Sequence, residues 1–251
     1  MKRILITDVT SKVGQASAEL FLKRGWIVVG FGRKPIGDRL LELGIKYNKV
    51  FFCMEGDVSK EEEIDKLEAF VIECAGGVDA IFNNAEVALF GQLHLTDESA
   101  WDEIFSVNLR SILLTTRTFL PYMMENGGGA IVNNASLSGL QGEYNMAAYC
   151  AAMGGVADLT RAMALDYGEY KIRVNGICAG AECITDLFDY DDERLVLFAN
   201  ANPMHKVGTP MECAKCVYFL ASDESTHCSG VLLPVSGAVD VQTGGPRNEG
   251  L

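Results

Sequence analysis

Short, continuous apolar runs alternate with helix-like segments along the whole chain, and this alternation limits the possible folds more than any other feature. A strand that is apolar at successive positions must be covered on both faces. A strand with one face in water alternates apolar and polar residues instead. Strands are expected at Ile4–Thr7, Ile27–Phe31, Val50–Met54, Val78–Phe82, Ala130–Asn133, Arg173–Ile177 and Val231–Val235. Helices are expected over Gly14–Arg24, about Lys60–Cys74, about Leu109–Met124 and Ala148–Tyr167, with another started by Thr96 as N-cap and Asp97 and Glu98 in its first turn. The pattern predicts an α/β protein: a doubly wound parallel sheet of about seven strands with helices on both faces. Nothing in residues 1–251 reads as a linker, repeat or low-complexity tract, so a single domain is expected. The loosest stretch, Ala181–Asn202, carries the acidic residues Asp189, Asp191, Asp192 and Glu193. It is read as a solvated loop or helix face lying over the carboxyl ends of the strands, where such sheets bind ligands.

A net charge of -13 argues against nucleic acid or an anionic membrane surface as a main partner, since both would be repelled. No apolar run is long enough to cross a bilayer. The chain passes from Met1-Lys2-Arg3 directly into the first strand without a signal peptide, so a cytoplasmic setting is expected. The eight cysteines lie mostly in apolar segments, as reduced thiols do. Cys213 and Cys216 have metal-ligand spacing, but no second pair completes a zinc set and they fall within a helical pattern; no metal site is expected.

A set of short motifs then recurs in order. Asn83-Asn84-Ala85 ends the fourth strand, and Val107-Asn108-Leu109 opens a helix. Ser136 precedes Tyr149 by thirteen residues, Arg173-Val174-Asn175 opens the sixth strand, and Phe219–Asp223 closes a late helix. With these motifs the chain resembles the short-chain dehydrogenase/reductase family, a group of Rossmann folds, over nearly its whole length. The resemblance implies NAD(P)-dependent oxidation or reduction of an alcohol or carbonyl. Tyr149 would donate or accept the proton, Ser136 would polarise the substrate oxygen, and Asn108 would hold a water of the proton relay. Thr7, Lys12 and Gly14 would lie at the cofactor turn, with Asp57, Val58, Asn83 and Ala85 along the cofactor. The second strand ends at Phe31-Gly32-Arg33-Lys34, with basic residues and no acid, so Arg33 points to NADP(H) over NADH. Such proteins form homodimers or homotetramers through the helices after the fourth strand. Trp101, Phe105, Leu113 and Phe119 would serve such an interface or the core.

The chain also departs from the family. The lysine four residues after the tyrosine is Met153, and a thioether has neither charge nor N–H. A free phenol titrates near pH ~10, so acting as a base near neutrality needs help on the order of 4 kcal/mol. The glycine-rich pattern reads Thr7-Asp8-Val9-Thr10-Ser11-Lys12-Val13-Gly14, with Asp8 and Lys12 replacing glycines, and Glu86 follows Ala85 where the family has glycine. Those glycines permit a tight turn and close approach of the diphosphate, so weak or absent dinucleotide binding is expected. The leading expectation is a member of this fold that keeps Ser136 and Tyr149 as a polar site for a small-molecule ligand, with hydride transfer impaired. It would then be inactive or perform acid–base chemistry without redox. The alternatives are an NADP(H)-dependent oxidoreductase of a carbonyl or alcohol, and a non-enzymatic oligomeric binding protein.

Overall fold

The computed structural model describes residues 1–180 and 191–241. Seven parallel strands form one sheet: β1 (Arg3–Thr7), β2 (Ile27–Gly32), β3 (Phe51–Glu55), β4 (Ala80–Asn83), β5 (Gly129–Asn134), β6 (Ile172–Ala179) and β7 (Leu232–Val235). Their order is β3-β2-β1-β4-β5-β6-β7. The chain winds outward in one direction from β1 and in the other from β4, so the crevice at the carboxyl ends of these two strands is the switch point of the fold.

Helices cover both faces. On one lie α1 (Lys12–Lys23), α2 (Asp38–Lys46) and, late in the chain, the helix Pro210–Ala221; on the other lie α3 (Glu61–Ala75), α5 (Ser111–Glu125) and α6 (Ala147–Asp166). Before α5 comes α4 (Glu98–Phe105), and α7 (Asp192–Ala201) precedes Pro210–Ala221, which is α8. The period of two explains the unbroken apolar strands. Ile4 and Ile6 enter the α1–α8 core while Leu5 enters the α3–α5 core, and Val28 and Val29 divide in the same way.

The β1–β4 seam is tied at both ends. At the amino end Asp79 accepts hydrogen bonds from Arg3 N and Nε, both 2.8 Å, and from Nη2 at 2.8 Å. Burial alone would raise the Asp79 carboxyl, but these bonds outweigh it and hold the group below the usual carboxylate range. At the carboxyl end Thr7 Oγ1 accepts from the backbone N–H of Asn84 (2.9 Å) and of Ala85 (3.1 Å).

Several helix limits differ from expectation for local reasons. Ser11 caps α1, its Oγ accepting from Gly14 N at 3.1 Å, so the helix begins at Lys12. Asp97, not Thr96, occupies the cap position of α4, because Thr96 closes a preceding 3₁₀ turn. The α4 helix runs through a π-helical turn, Ser106–Arg110, into α5. Of the acidic stretch, Asp189 lies outside the described residues, whereas Asp191 caps α7 and accepts from Arg194 N at 2.8 Å. No helix among the described residues is long and apolar enough to cross a membrane.

Candidate active site

The turn after β1 keeps its tight course despite the missing glycines, which corrects the expectation that their loss would spoil it. Asp8 adopts φ 45°, a left-handed conformation that aspartate tolerates better than most residues, and its Oδ1 accepts from Thr10 Oγ1 at 2.8 Å. Asn84 Nδ2 reaches across from the end of β4 to Thr7 O (3.1 Å), Asp8 O (3.0 Å) and Ser11 Oγ (3.0 Å), binding the turn to the switch point. Gly14 is the one glycine the turn demands: a Cβ there would come within 2.3 Å of Asp8 O. Lys12 is exposed in the first turn of α1, outside the residues that line the adjoining cleft.

That cleft, a cavity of about 340 Å³, runs over the carboxyl ends of β1, β2 and β4. Asp8, Arg33, Lys34, Val58, Ala85 and Glu86 are among the residues that line it. Arg33 is held in place by acids, its Nε 3.0 Å from Asp57 Oδ1 and its Nη1 3.3 Å from Glu103 Oε1. Asp57 also accepts from Ser59 N (2.8 Å) and Ser59 Oγ (2.7 Å). Burial pulls the Asp57 carboxyl up, but Ser59 and the Arg33 guanidinium more than offset it, leaving its titration lowered. Asp57 thus orients Arg33, while Val58 lines the cleft itself. Thr7 and Asn83, expected at the cofactor, also bind the sheet: Thr7 joins β1 to β4, and Asn83 Nδ2 donates to Asn133 Oδ1 at 2.8 Å.

Tyr149 and Ser136 come together beside Glu86, and neither is among the residues lining the cleft. The phenol is 1% exposed, and its hydroxyl donates to Glu86 Oε2 at 2.8 Å. Burial, and then the Glu86 carboxylate, push the phenol well above its usual range near 10, while a hydrogen bond with Ser136 works the other way. Ser136 sits at φ 51° and caps a 3₁₀ turn, its Oγ accepting from Ser138 N at 3.3 Å. Met153, one helical turn beyond Tyr149 on α6, is 1% exposed and packs in an apolar cluster with Tyr149, Ile112, Ala135, Met146 and Val156. The Met153 side chain is therefore part of the core. Asn108, in the π-helical turn, has its side-chain amide engaged by Val87: Oδ1 accepts from Val87 N and Nδ2 donates to Val87 O, both at 2.8 Å. It anchors the segment after β4 that carries Glu86.

A dinucleotide finds a mixed fit among these residues. At the adenosine end they suit it, with an open cleft, two basic side chains after β2 and a turn packed closely over Gly14. Three carboxylates, Asp8, Glu86 and Glu103, line the same cleft; Glu103 is paired with Arg33, and Glu86 already holds the phenol. Among the described residues the seven cysteines form no disulfide, and there is no group of three or more His, Cys, Asp or Glu able to hold a metal.

Sequence reasoning noticed Glu86 as a departure, but did not see its contact with Tyr149, sixty-three positions away. Asn84 went unassigned for the same reason, since its three contacts lie across the sheet.

Comparison with known proteins gives a consistent result. Residues 9–239 match the family model described as "Enoyl-(Acyl carrier protein) reductase". The chain is 32% identical over 247 residues to meso-2,3-butanediol dehydrogenase of Serratia marcescens, covering 98% of this chain and 97% of that protein. It is 36% identical over 189 residues to "Inactive 2-(S)-hydroxypropyl-CoM dehydrogenase 2" of Xanthobacter autotrophicus, covering 73% of this chain and 82% of the relative. Among solved structures, "ElxO with NADP Bound" superposes with a TM-score of 0.86 at 25% identity, covering 96% of this chain and 99% of the other. One of these relatives is named as inactive, but the dehydrogenase of Serratia marcescens and the neighbour solved with NADP fit the oxidoreductase alternative better than the expectation of a lost activity and a lost cofactor. By its sheet order, its motifs and these matches, the chain belongs to the short-chain dehydrogenase/reductase family.

Proposed function

We propose that this protein is an NADP(H)-dependent oxidoreductase of an alcohol/carbonyl pair that works as a reductase. The observation that carries the reading is the buried phenol of Tyr149, held protonated beside Ser136. Reduction of a carbonyl needs a proton donor at the substrate oxygen, and a neutral phenol is one. Oxidation needs a tyrosinate, which burial and Glu86 disfavour. Ser136 would hydrogen-bond the carbonyl oxygen and orient it toward Tyr149. Arg33 and Lys34 would pair with a 2′-phosphate, with Val58 and Ala85 against the nucleoside. A bound dihydronicotinamide would supply the hydride; this chain's residues supply orientation and the proton.

Fluorescence titration with NADPH and NADH, followed by NADPH consumption over a panel of ketones and aldehydes, tests the reading. Saturable NADPH binding with carbonyl-dependent consumption is expected. No binding at millimolar NADPH refutes it. A second reading, proton chemistry without redox, draws on Met153 and on the Glu86–Tyr149 bond. It predicts conversion of substrate with no change in cofactor absorbance. Assembly through the α4–α5 face accompanies either reading: Trp101 stacks on Phe105 at 4.6 Å, and Leu113 is 53% exposed there, whereas Phe119 is core. Light scattering at a homodimer or homotetramer mass checks that.

A further inference from the structure

We propose that Glu86 is the proton relay of this site, its carboxyl group carrying protons between the open cleft and the buried Tyr149 hydroxyl. The inference rests on the reductase reading and adds to it the route by which the donor is recharged. Tyr149 is 1% exposed and is not among the residues lining the cleft, so after giving up its proton it needs a neighbour to restore it. Glu86 lines the cleft and places Oε2 2.8 Å from the phenol oxygen. The backbone on either side of it is pinned, at Ala85 by Thr7 Oγ1 (3.1 Å) and at Val87 by Asn108 (2.8 Å), so the carboxyl is aimed. Ser136, the phenol's other hydrogen-bond partner, is 3% exposed and is not among the cleft residues, so it has no route to solvent there, and the remaining neighbours are poor carriers. The Asn108 amide bonds Val87 at both ends, and Met153 has no exchangeable proton.

The step balances as follows. The phenol O–H breaks and its proton bonds to the substrate oxygen, the carbonyl carbon having received hydride from the dihydronicotinamide. The tyrosinate then takes the proton of a protonated Glu86, so the carboxyl O–H breaks as the phenol O–H re-forms. Glu86 regains its proton from solvent in the cleft. A tyrosinate beside an ionised Glu86 would place two negative charges together in a buried site, so the protonated carboxyl is the working form. Turnover therefore falls with rising pH through the ionisation of Glu86, about tenfold per pH unit along that limb. Other charged groups also bear on this ionisation. Asp8, Arg33, Lys34 and Glu103 line the same cleft, Arg33 being paired with Asp57 and Glu103. Cys150 acts on the phenol from its own helix, and burial raises its thiol.

Two measurements on Glu86→Gln, with Glu86→Gly as a second variant bearing the family's residue, test the relay. The first is deuterium exchange of the Tyr149 hydroxyl in the protein without cofactor, read from the isotope shift of the ring carbon in tyrosine-labelled protein and assigned with Tyr149→Phe. Exchange is expected to slow at least about tenfold in Glu86→Gln, which retains an acceptor but cannot pass a proton on. The second is the pH profile of NADPH-dependent carbonyl reduction, which should lose its Glu86 limb in both variants. Unchanged hydroxyl exchange in both variants overturns the relay, as does a pH profile superimposable on the parent's. If the parent protein itself consumes no NADPH, the reductase reading falls, and hydroxyl exchange alone decides whether Glu86 moves the proton.

Discussion

Replacing Met153 with lysine, the residue its family carries there, should weaken this protein without improving it. Met153 is 1% exposed and surrounded by Ile112, Ala135, Met146, Tyr149 and Val156. An ammonium group entering that cluster loses its water. Its nearest compensation is Glu86, which lies beyond the phenol and already accepts from it. The folded protein can admit the side chain neutral, and deprotonating an ordinary lysine at pH 7 costs about 4–5 kcal/mol. Partial attraction to Glu86 would reduce this, so a loss of roughly 2–4 kcal/mol is expected, or about 5–15 °C in Tm for a domain of this size. Met153→Leu, which keeps the volume, should cost less than about 1.5 kcal/mol. The pH dependence identifies the cause. The folded lysine would have a lowered pKa, so between that value and the unfolded one near ~10.4 the unfolded chain binds more protons, and stability rises with pH. The deficit relative to Met153→Leu should therefore shrink from neutral to alkaline pH, followed by circular dichroism melts. A lysine variant with the Leu variant's Tm at every pH would refute the description of this site as closed and apolar.

Four further outcomes follow from the geometry. Gly14→Ala places a Cβ 2.3 Å from Asp8 O and 2.8 Å from Val9 Cα, both backbone atoms; a cost of about 1–3 kcal/mol in chemical melts and loss of NADPH binding are expected. Asp8→Gly removes both a left-handed aspartate and a carboxylate from the cleft, and should tighten NADPH binding by about three- to tenfold in a fluorescence titration. Arg33→Ala should reduce the preference for NADPH over NADH by about tenfold or more, read as the ratio of the two dissociation constants. Asp79→Asn breaks the three-bonded tie to Arg3 and should cost about 1–3 kcal/mol at neutral pH. Because the Asp79 carboxyl is lowered in the folded state, its contribution is complete above the unfolded value of ~3.9 and disappears as pH falls through the folded one. Urea melts of the variant and its parent should converge in acid.

The sheet was legible because burial on both faces leaves a strong mark: seven apolar runs predicted seven strands, each within a residue or two of its observed limits. The α2 helix went unread between Gly32 and Val50, because only Leu40 and Leu43 are buried in it and its remaining surface faces water. The helix expected from Leu109 to Met124 hid a π-helical turn, whose extra residue carries no compositional signal. At the site, the positions of Ser136 and Tyr149 follow from their spacing, but their state depends on what touches them. The effect of Glu86 on the phenol, and of the apolar cluster on Met153, arises from contacts across the fold. The Asp8 turn misled in the opposite sense. A missing glycine suggested damage, whereas aspartate accepts the left-handed angle and Asn84 braces the loop from the neighbouring strand.

The double fastening of β1 to β4, by Arg3 and Asp79 below and by Thr7 and Asn84 above, determines where this molecule can yield. With its floor clamped, the crevice can widen only by movement of its walls, the residues after β2 and those from Val87 to Leu89. Amide protons along the central seam should accordingly be among the last to exchange, whether or not a ligand enters above them.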